Sequence, residues 1–529
     1  MAPHPLSGLA SPRDAGIHAP MTDTVTPRAS GGRLVSGAAW NALGRGLPLL
    51  VALALTPVLV NLMGLERWGL FTLALALVGV FGVFDLGVGA ALTRTLAARI
   101  GAGETGSAAE LASAAISALF LLSLVIAGAA FALVPLLVER VLNVPPALQA
   151  EAVNAFRLLT AAAPLIVVNA ALWGALAAHG RFREANLVMM PVSLMYYVGP
   201  ALVLLLWQSL TGVVLALVAC RLVNTLSYLW LVRRDLPGLR PAWPHWGTVA
   251  PLLRMGGWMS ASGVLTQALL YADRFLVGAV LTLAAVAFYA TPLDLVMRMW
   301  ILPVAVSQAL MPALAASYLT APGQTASLLR RGALLVMAGV IAPCLVLVAG
   351  AGDILHLWLG AEFAQGGARV LQILSVGIFF SCAAFAPGAL LDAIGRPDVN
   401  AKWQLAQAVL YLPLAAAALW LAGIEGAAAA WAVRAAIDCF GRLYFCARLY
   451  PAVAAAARRL ALPLAAGGTA LAALLPFADH GVLAGIAAVG LLGFLAAAAR
   501  VLTPEERADA RVLLRRPWAV RGMLRGRGA

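Results

Sequence analysis

LASAAISALFLLSLVIAGAAFALVPLLV, residues 111–138, runs from Glu110 to Glu139 without a single charge. As a helix rising 1.5 Å per residue it would reach about 42 Å, more than the roughly 30 Å hydrocarbon core of a bilayer. No water reaches the backbone there, so a spanning segment has to satisfy its own N–H and C=O groups as a helix. Comparable runs lie on both sides of it, at about 36–62, 69–92, 152–178, 186–207, 210–232, 255–279, 284–314, 327–350, 368–391, 403–423, 427–449, 461–478 and 482–500. The expectation is an all-α polytopic membrane protein with about fourteen transmembrane helices. Pro164, Pro200 and Pro292 fall inside these runs and are expected as kinks.

Composition agrees. Of 529 residues, 63% are hydrophobic and 11% charged, and the mean hydropathy is +0.93. Soluble domains carry roughly 45–50% apolar and about 25% charged residues, so a water-facing globular surface is excluded. The net charge of +14 and the pI of 10.4 would suggest a nucleic-acid partner in a soluble chain. Here the placement of the charges argues against one. Of the 36 Lys and Arg, 26 lie in the tails and every second loop, and the alternate loops hold only Arg67, Arg140 and Arg369. By the positive-inside rule both termini are expected in the cytoplasm, with an even number of spans in an inner membrane.

The domain organisation expected is a disordered tail over 1–33, a six-helix bundle over 34–232, a cytoplasmic linker over 233–254 and a second six-helix bundle over 255–449. An extra helix pair over 450–500 and a basic tail over 501–529 complete it. Met21 is a second possible start, since nothing upstream of it reads as structural. A shift of 218 residues lays Trp40 on Trp258, Leu47 on Leu265, Leu65 on Leu283, Leu70 on Phe288 and Phe71 on Tyr289. Two six-helix repeats of even parity share one orientation, related by a pseudo-two-fold axis along the membrane normal. The C-terminal run EERADARVLLRRPWAVRGMLRGRGA reads either as a basic helix lying on anionic lipid or as a disordered tail held inside by its charge.

Several chemistries are excluded. Lys402 is the only lysine and stands in AKWQ, so there is no GK[ST] phosphate-binding loop and no obvious Schiff-base lysine. HExxH is absent, and the five cysteines lie in apolar stretches without CxxC spacing. They read as small buried residues. Neither a cofactor nor a metal is expected. The outer connections are short, the longest being about Ala351–Ala368, which leaves no room for a catalytic domain.

What remains is charge inside the membrane. Within spans lie Arg45, Arg157, Arg221, Arg274, Arg298, Arg434 and Arg442 against Asp85, Asp273, Asp294 and Asp438, an excess of three positive charges. A charge at the bilayer centre costs about 2.5–3.5 kcal/mol, so such groups face a partner or a cavity. A cationic cavity between the bundles would accommodate the excess and attract an anion. Structural readings stand beside this one. Arg157 and Arg442 lie near span ends and can snorkel. Asp294 and Arg298 are four apart and can neutralise each other, and Arg434, Asp438 and Arg442 form a ladder. Arg45 shares a face with Asn41, and Gln267, Tyr271 and Arg274 share another. Asp85, Asp273 and Asp438 are candidates for a coupling ion, or for ion pairs.

The chain resembles the bacterial polysaccharide (O-antigen type) flippases, a branch of the multidrug/oligosaccharidyl-lipid/polysaccharide exporter superfamily. The resemblance rests on GAAWNALGRGLPLLVALALTPVLVNLMGLERWGLFTLALALVGVFGVFDLGVGAALTR at 37–94, YADRFLVGAVLTLAAVAFYATPLDLVMRM at 271–299, ALLDAIGRPDVN at 389–400 and GIEGAAAAWAVRAAIDCF at 423–440, covering about 36–450. It implies alternating access about a central cavity, coupling to an ion gradient, and an oligosaccharide linked through pyrophosphate to undecaprenol as substrate. Polysaccharide polymerase and chain-length proteins are implied as further partners besides membrane lipids. By this analogy Arg45, Arg221, Arg274, Arg298 and Arg434 would meet the headgroup, with Asn41, Gln267 and Tyr271 as polar neighbours. The protein is expected not to be an enzyme. A peptidoglycan-precursor flippase, a multidrug exporter and a membrane glycosyltransferase or polymerase are the alternatives.

Overall fold

The computed structural model describes residues 48–85, 87–244, 269–477 and 480–503, together with 247, 250 and 507. The expectations for Asn41, Arg45, Gln267, the N-terminal tail and nearly all of the C-terminal basic run lie outside these residues. Among the described residues the chain is helical throughout and contains no strand.

In chain order the helices are α1 (Pro48–Met63), α2 (Leu65–Gly82), α3 (Val88–Gly101), α4 (Thr105–Leu136), α5 (Pro146–Ala161), α6 (Ala163–Ala178), α7 (Phe182–Leu206), α8 (Leu210–Asp235) and α9 (269–280). The second half continues with α10 (Leu283–Met297), α11 (Ile301–Ser317), α12 (Pro322–Ala349), α13 (Ala351–Leu359), α14 (Ala361–Ala383), α15 (Phe385–Ala393), α16 (Pro397–Leu449), α17 (Ala454–Leu474) and α18 (His480–Val501). Ten of the helical segments among the described residues are long and apolar enough to cross a bilayer. Large apolar side chains stand on their outer faces, with Val125 71% exposed, Leu410 73% and Val489 71%. Such a surface is stable against lipid and not against water. This is a multi-pass membrane protein.

Breaks in the helices have local causes. The span expected at 152–178 divides at Ala162, and Pro164 follows in the first turn of α6, where a missing N–H costs nothing. Pro200 and Pro292 lie inside the continuous helices α7 and α10. Between α2 and α3 the chain turns at Gly87 (φ +64°), whose N–H donates to Asp85 Oδ1 at 3.0 Å. The 53-residue α16 bends at Ala422 and Gly423 (φ +59°) and so supplies two of the expected spans. The expected outer loop at Ala351–Ala368 is instead helical, as α13 and the start of α14. With nine residues and a strongly one-sided apolar face, α13 lies against the bundle through Ala351, Leu355 and Leu359. The five cysteines are free, and all but Cys220 are buried.

The repeat is visible in the helix starts. Leu65 and Leu283, Thr105 and Pro322, Pro146 and Ala361, and Phe182 and Pro397 each open equivalent helices about 215–218 positions apart. The first of these pairs, α2 and α10, pack on each other and join the halves. Trp68 Nε1 donates to Thr291 Oγ1 at 2.8 Å, both residues being buried. Gly69 lies against the Leu283 carbonyl so closely that a Cβ there would overlap it. At the same end, Asn143 donates its backbone N–H to Gly278 O at 2.9 Å and its Nδ2 to Ala279 O and Leu281 O at 3.0 Å. These carbonyls belong to the last turn of α9 and the residue that follows it, where helical donors run out. Trp358 Nε1 also crosses from α13 to Leu53 O at 2.8 Å. The links gather at the end of the helices that carries Arg67, Arg140 and Arg369, the arginine-poor end.

Gly69→Val inserts three carbons into this contact and is expected to cost about 1–3 kcal/mol, as overpacking does. Thermal unfolding of the detergent-solubilised protein should show a lowered midpoint for Gly69→Val. Gly101→Ala, which meets open space, should leave the midpoint unchanged.

Candidate functional site

The charged residues of the sequence reading fall into one large group and two separate ones. The large group sits where α9, α10 and both arms of α16 converge. Asp273 is buried at 1% exposure and accepts hydrogen bonds from Tyr411 Oη at 2.6 Å and Tyr289 Oη at 3.1 Å. Next to it in the chain, Arg274 is 3% exposed and pairs with Asp294 through both of its terminal nitrogens. The alternative pairing of Asp294 with Arg298 is therefore not the one formed. Arg274 also lies over the Tyr271 ring, 5.5 Å from its centroid, and that ring abuts Gly79 of α2. The group thus touches the other half of the molecule. Arg434 stacks on Tyr411 at 5.0 Å and stands 5.9 Å from the Trp431 ring.

On the facing half, Arg221 of α8 stacks on Tyr196 of α7 at 5.1 Å. The next residue, Tyr197, receives a hydrogen bond at 3.4 Å from Arg298, which is exposed and comes from the end of α10. Two consecutive tyrosines therefore bring an arginine from each half to one place.

Arg221 on Tyr196 and Arg434 on Tyr411 are equivalent in the repeat, each arginine resting on the tyrosine of the preceding span. Both keep a buried Nε without a hydrogen-bond partner among the described residues, as do Arg157 and Arg274. Arg157 lies over Phe131 at 5.1 Å rather than beside a carboxylate. A desolvated cation–π contact contributes about 2 kcal/mol or more. That is comparable with the roughly 2.5–3.5 kcal/mol that a central membrane charge costs. The rings hold Arg221 and Arg434 in place but accept none of the hydrogen bonds their buried Nε groups could donate, which leaves those donors open to an anion.

Asp85 and Asp438 stand apart from this group. Asp85 caps the turn at Gly87. Asp438 accepts from Arg442 Nε at 3.0 Å and Gln407 Nε2 at 2.8 Å, so the ladder on α16 closes toward Arg442 and leaves Arg434 out. The sequence reading did not single out Tyr196, Tyr197, Tyr289 and Tyr411. Their signal was present, since tyrosine occurs only nine times in the chain and Tyr196 and Tyr411 stand one repeat apart.

Residues 34–317 match the family model described as polysaccharide biosynthesis protein. The chain belongs to this family. It is 27% identical over 411 residues to a putative O-antigen transporter of Shigella flexneri, covering 77% of this chain and 96% of that protein. Among solved structures, it resembles an inward-facing multidrug resistance MATE family transporter of the MOP superfamily at TM-score 0.69 and 17% identity, covering 77% of this chain and 96% of that one. It also resembles the lipid II flippase MurJ in an inward closed conformation at TM-score 0.67 and 11% identity, covering 86% and 97%. At these identities the two likenesses show the fold alone.

Tyr411→Phe removes the shorter of the two hydrogen bonds to the buried Asp273 carboxylate. Bonds to charged groups contribute about 1.5–3 kcal/mol. The variant should therefore unfold at a clearly lower temperature than the wild type. Tyr444→Phe, on an exposed residue whose hydroxyl accepts from Arg448 alone among the described residues, should not differ from wild type in the same melt.

Proposed function

We propose that this protein is a flippase for an oligosaccharide linked through diphosphate to undecaprenol, in the cytoplasmic membrane and with both termini in the cytoplasm. It translocates its substrate and makes or breaks no covalent bond. The observation that carries this reading is the pair of equivalent, aromatic-backed arginines, Arg221 and Arg434. With Arg298 they line the meeting of the two halves, and among the described residues no carboxylate forms an ion pair with any of the three; Arg274, held by Asp294, contributes only through the field of its pair. A diphosphate carries the charge and the acceptor oxygens that guanidinium groups bind best. Arg45, Asn41 and Gln267 are proposed to complete the set.

Transport proceeds by alternating access. The links of Trp68 to Thr291 and of Asn143 to the end of α9 hold the arginine-poor, outer end closed. The substrate therefore enters from the arginine-rich side. Outward opening breaks those few hydrogen bonds and separates α2 from α10. Among the coupling-ion candidates, Asp273 is the best placed. It is buried, held by two tyrosine hydroxyls and near Arg434, so a proton or cation arriving there alters the field at the substrate arginines. Asp85 and Asp438 are engaged in local contacts and are weaker candidates.

The fold likeness to a lipid II flippase favours one second reading, a peptidoglycan-precursor flippase, whose substrate shares the prenyl diphosphate. A multidrug exporter would need acidic groups for its cations, and the arginine excess opposes it.

A deletion strain separates these readings. Lipid-linked repeat units should accumulate facing the cytoplasm while the peptidoglycan precursor is translocated normally. An unchanged distribution of the repeat units would contradict the proposal, and accumulation of the peptidoglycan precursor instead would favour the second reading. In complementation, Arg221→Gln and Arg434→Gln should each lower transport at least tenfold at unchanged membrane levels.

A further inference from the structure

A second site lies away from the meeting of the two halves. Between α4 and α8, at the arginine-rich end of the first half, is a groove with a cavity volume of about 540 Å³. Val168 and Leu172 of α6 form its floor, and Phe120, Leu121 and Leu229 are among its walls. The segment 236–244, which leaves α8, runs along α4 at its edge. There the backbone N–H groups of Arg240 and Ala242 donate to the hydroxyls of Ser113 and Ser117 at 3.2 and 3.3 Å. The Thr225 hydroxyl donates to Leu165 O. With those groups engaged, the interior is an apolar slot.

Its rim is different. Arg233 and Arg240 line the groove, both are exposed, and neither guanidinium has a hydrogen-bond or ion-pair partner among the described residues. Trp243 completes the rim and is 79% exposed. An apolar slot between spanning helices, topped by two cations unpaired among the described residues and a tryptophan, complements an amphiphile with acyl chains below and one phosphate above. Tryptophan favours the headgroup level, and each basic residue near an anionic surface adds to lipid attraction.

We propose that this groove binds an anionic phospholipid of the arginine-rich leaflet, its acyl chain along α6 and its phosphate between Arg233 and Arg240. A structural phospholipid is favoured over a transported prenyl diphosphate because α6 separates the groove from α2, the helix through which this half packs on α10. The bound lipid would tie segment 236–244, which leads from the first half toward the second, to the bundle. This inference stands whether or not the chain carries lipid-linked sugars.

The test is native mass spectrometry of the full-length protein in mild detergent, titrated with dioleoylphosphatidylglycerol, dioleoylphosphatidylcholine or undecaprenyl phosphate. The two phospholipids share acyl chains and differ in headgroup charge. Phosphatidylglycerol should be retained roughly tenfold better than phosphatidylcholine, and Arg233→Ala/Arg240→Ala should reduce it to the phosphatidylcholine level. These are surface substitutions, and an unchanged thermal midpoint verifies that the variant is folded. Ile116→Trp, which fills the slot, should lower retention of both phospholipids. Equal retention of the two by wild type, or a double variant that keeps its preference, would overturn the proposal. So would displacement of phosphatidylglycerol by equimolar undecaprenyl phosphate in an Arg233- and Arg240-dependent manner, which would give the groove to the prenyl carrier. A chain lacking residues 1–33 that gains phosphatidylglycerol would assign the groove to the protein's own tail and equally overturn it.

Discussion

An arginine resting on a tyrosine in the middle of a membrane protein is the contact on which the functional reading depends. Arg221 on Tyr196 and Arg434 on Tyr411 are compensated for leaving water, but only in part. A carboxylate in place of the ring would have made a closed ion pair, as Asp294 does for Arg274 and Asp438 for Arg442. Such pairs are satisfied and have little to offer an incoming charge. A ring holds the guanidinium in place and leaves its hydrogen-bond donors available. The protein thus contains both solutions, ion pairs that fix helices and stacked cations that remain free to bind.

Duplication explains the placement. Equivalent helices of the two halves start about 215–218 residues apart, and the stacked pairs recur at nearly the same interval. The internal repeat thus places one such arginine in each half. The halves themselves meet through the equivalent helices α2 and α10, where Gly69 permits close approach and Trp68 bonds to Thr291. Among the described residues few hydrogen bonds hold that end together, which is what the proposed alternating access requires.

Much of this was legible in the sequence. The apolar runs gave the helices because lipid leaves the backbone no alternative, and the 218-residue shift aligned Leu65 with Leu283, which do open α2 and α10. Intramembrane arginines were countable, but their partners were not. Pairing of Asp294 with Arg274 rather than Arg298 depends on how α9 packs on α10, and no spacing within one helix encodes that. Asp273 likewise draws Tyr289 and Tyr411 from two other helices. The loop expected at Ala351–Ala368 failed for a different reason, since its length suggested a connection while its one-sided apolar pattern makes α13. The groove at Arg233 and Arg240 was hidden in charges that the sequence reading assigned wholly to topology.

The central claim is that the stacked arginines bind a prenyl-linked diphosphate. Binding of undecaprenyl diphosphate and of undecaprenol to the purified protein tests it most directly, because the two ligands share the chain and differ only in the anion. The account predicts that the diphosphate binds at least tenfold more tightly than the alcohol, and that Arg221→Gln/Arg434→Gln removes the difference while Arg233→Ala/Arg240→Ala retains it. Equal affinities for the two ligands, or a preference that survives loss of both stacked arginines, would contradict it.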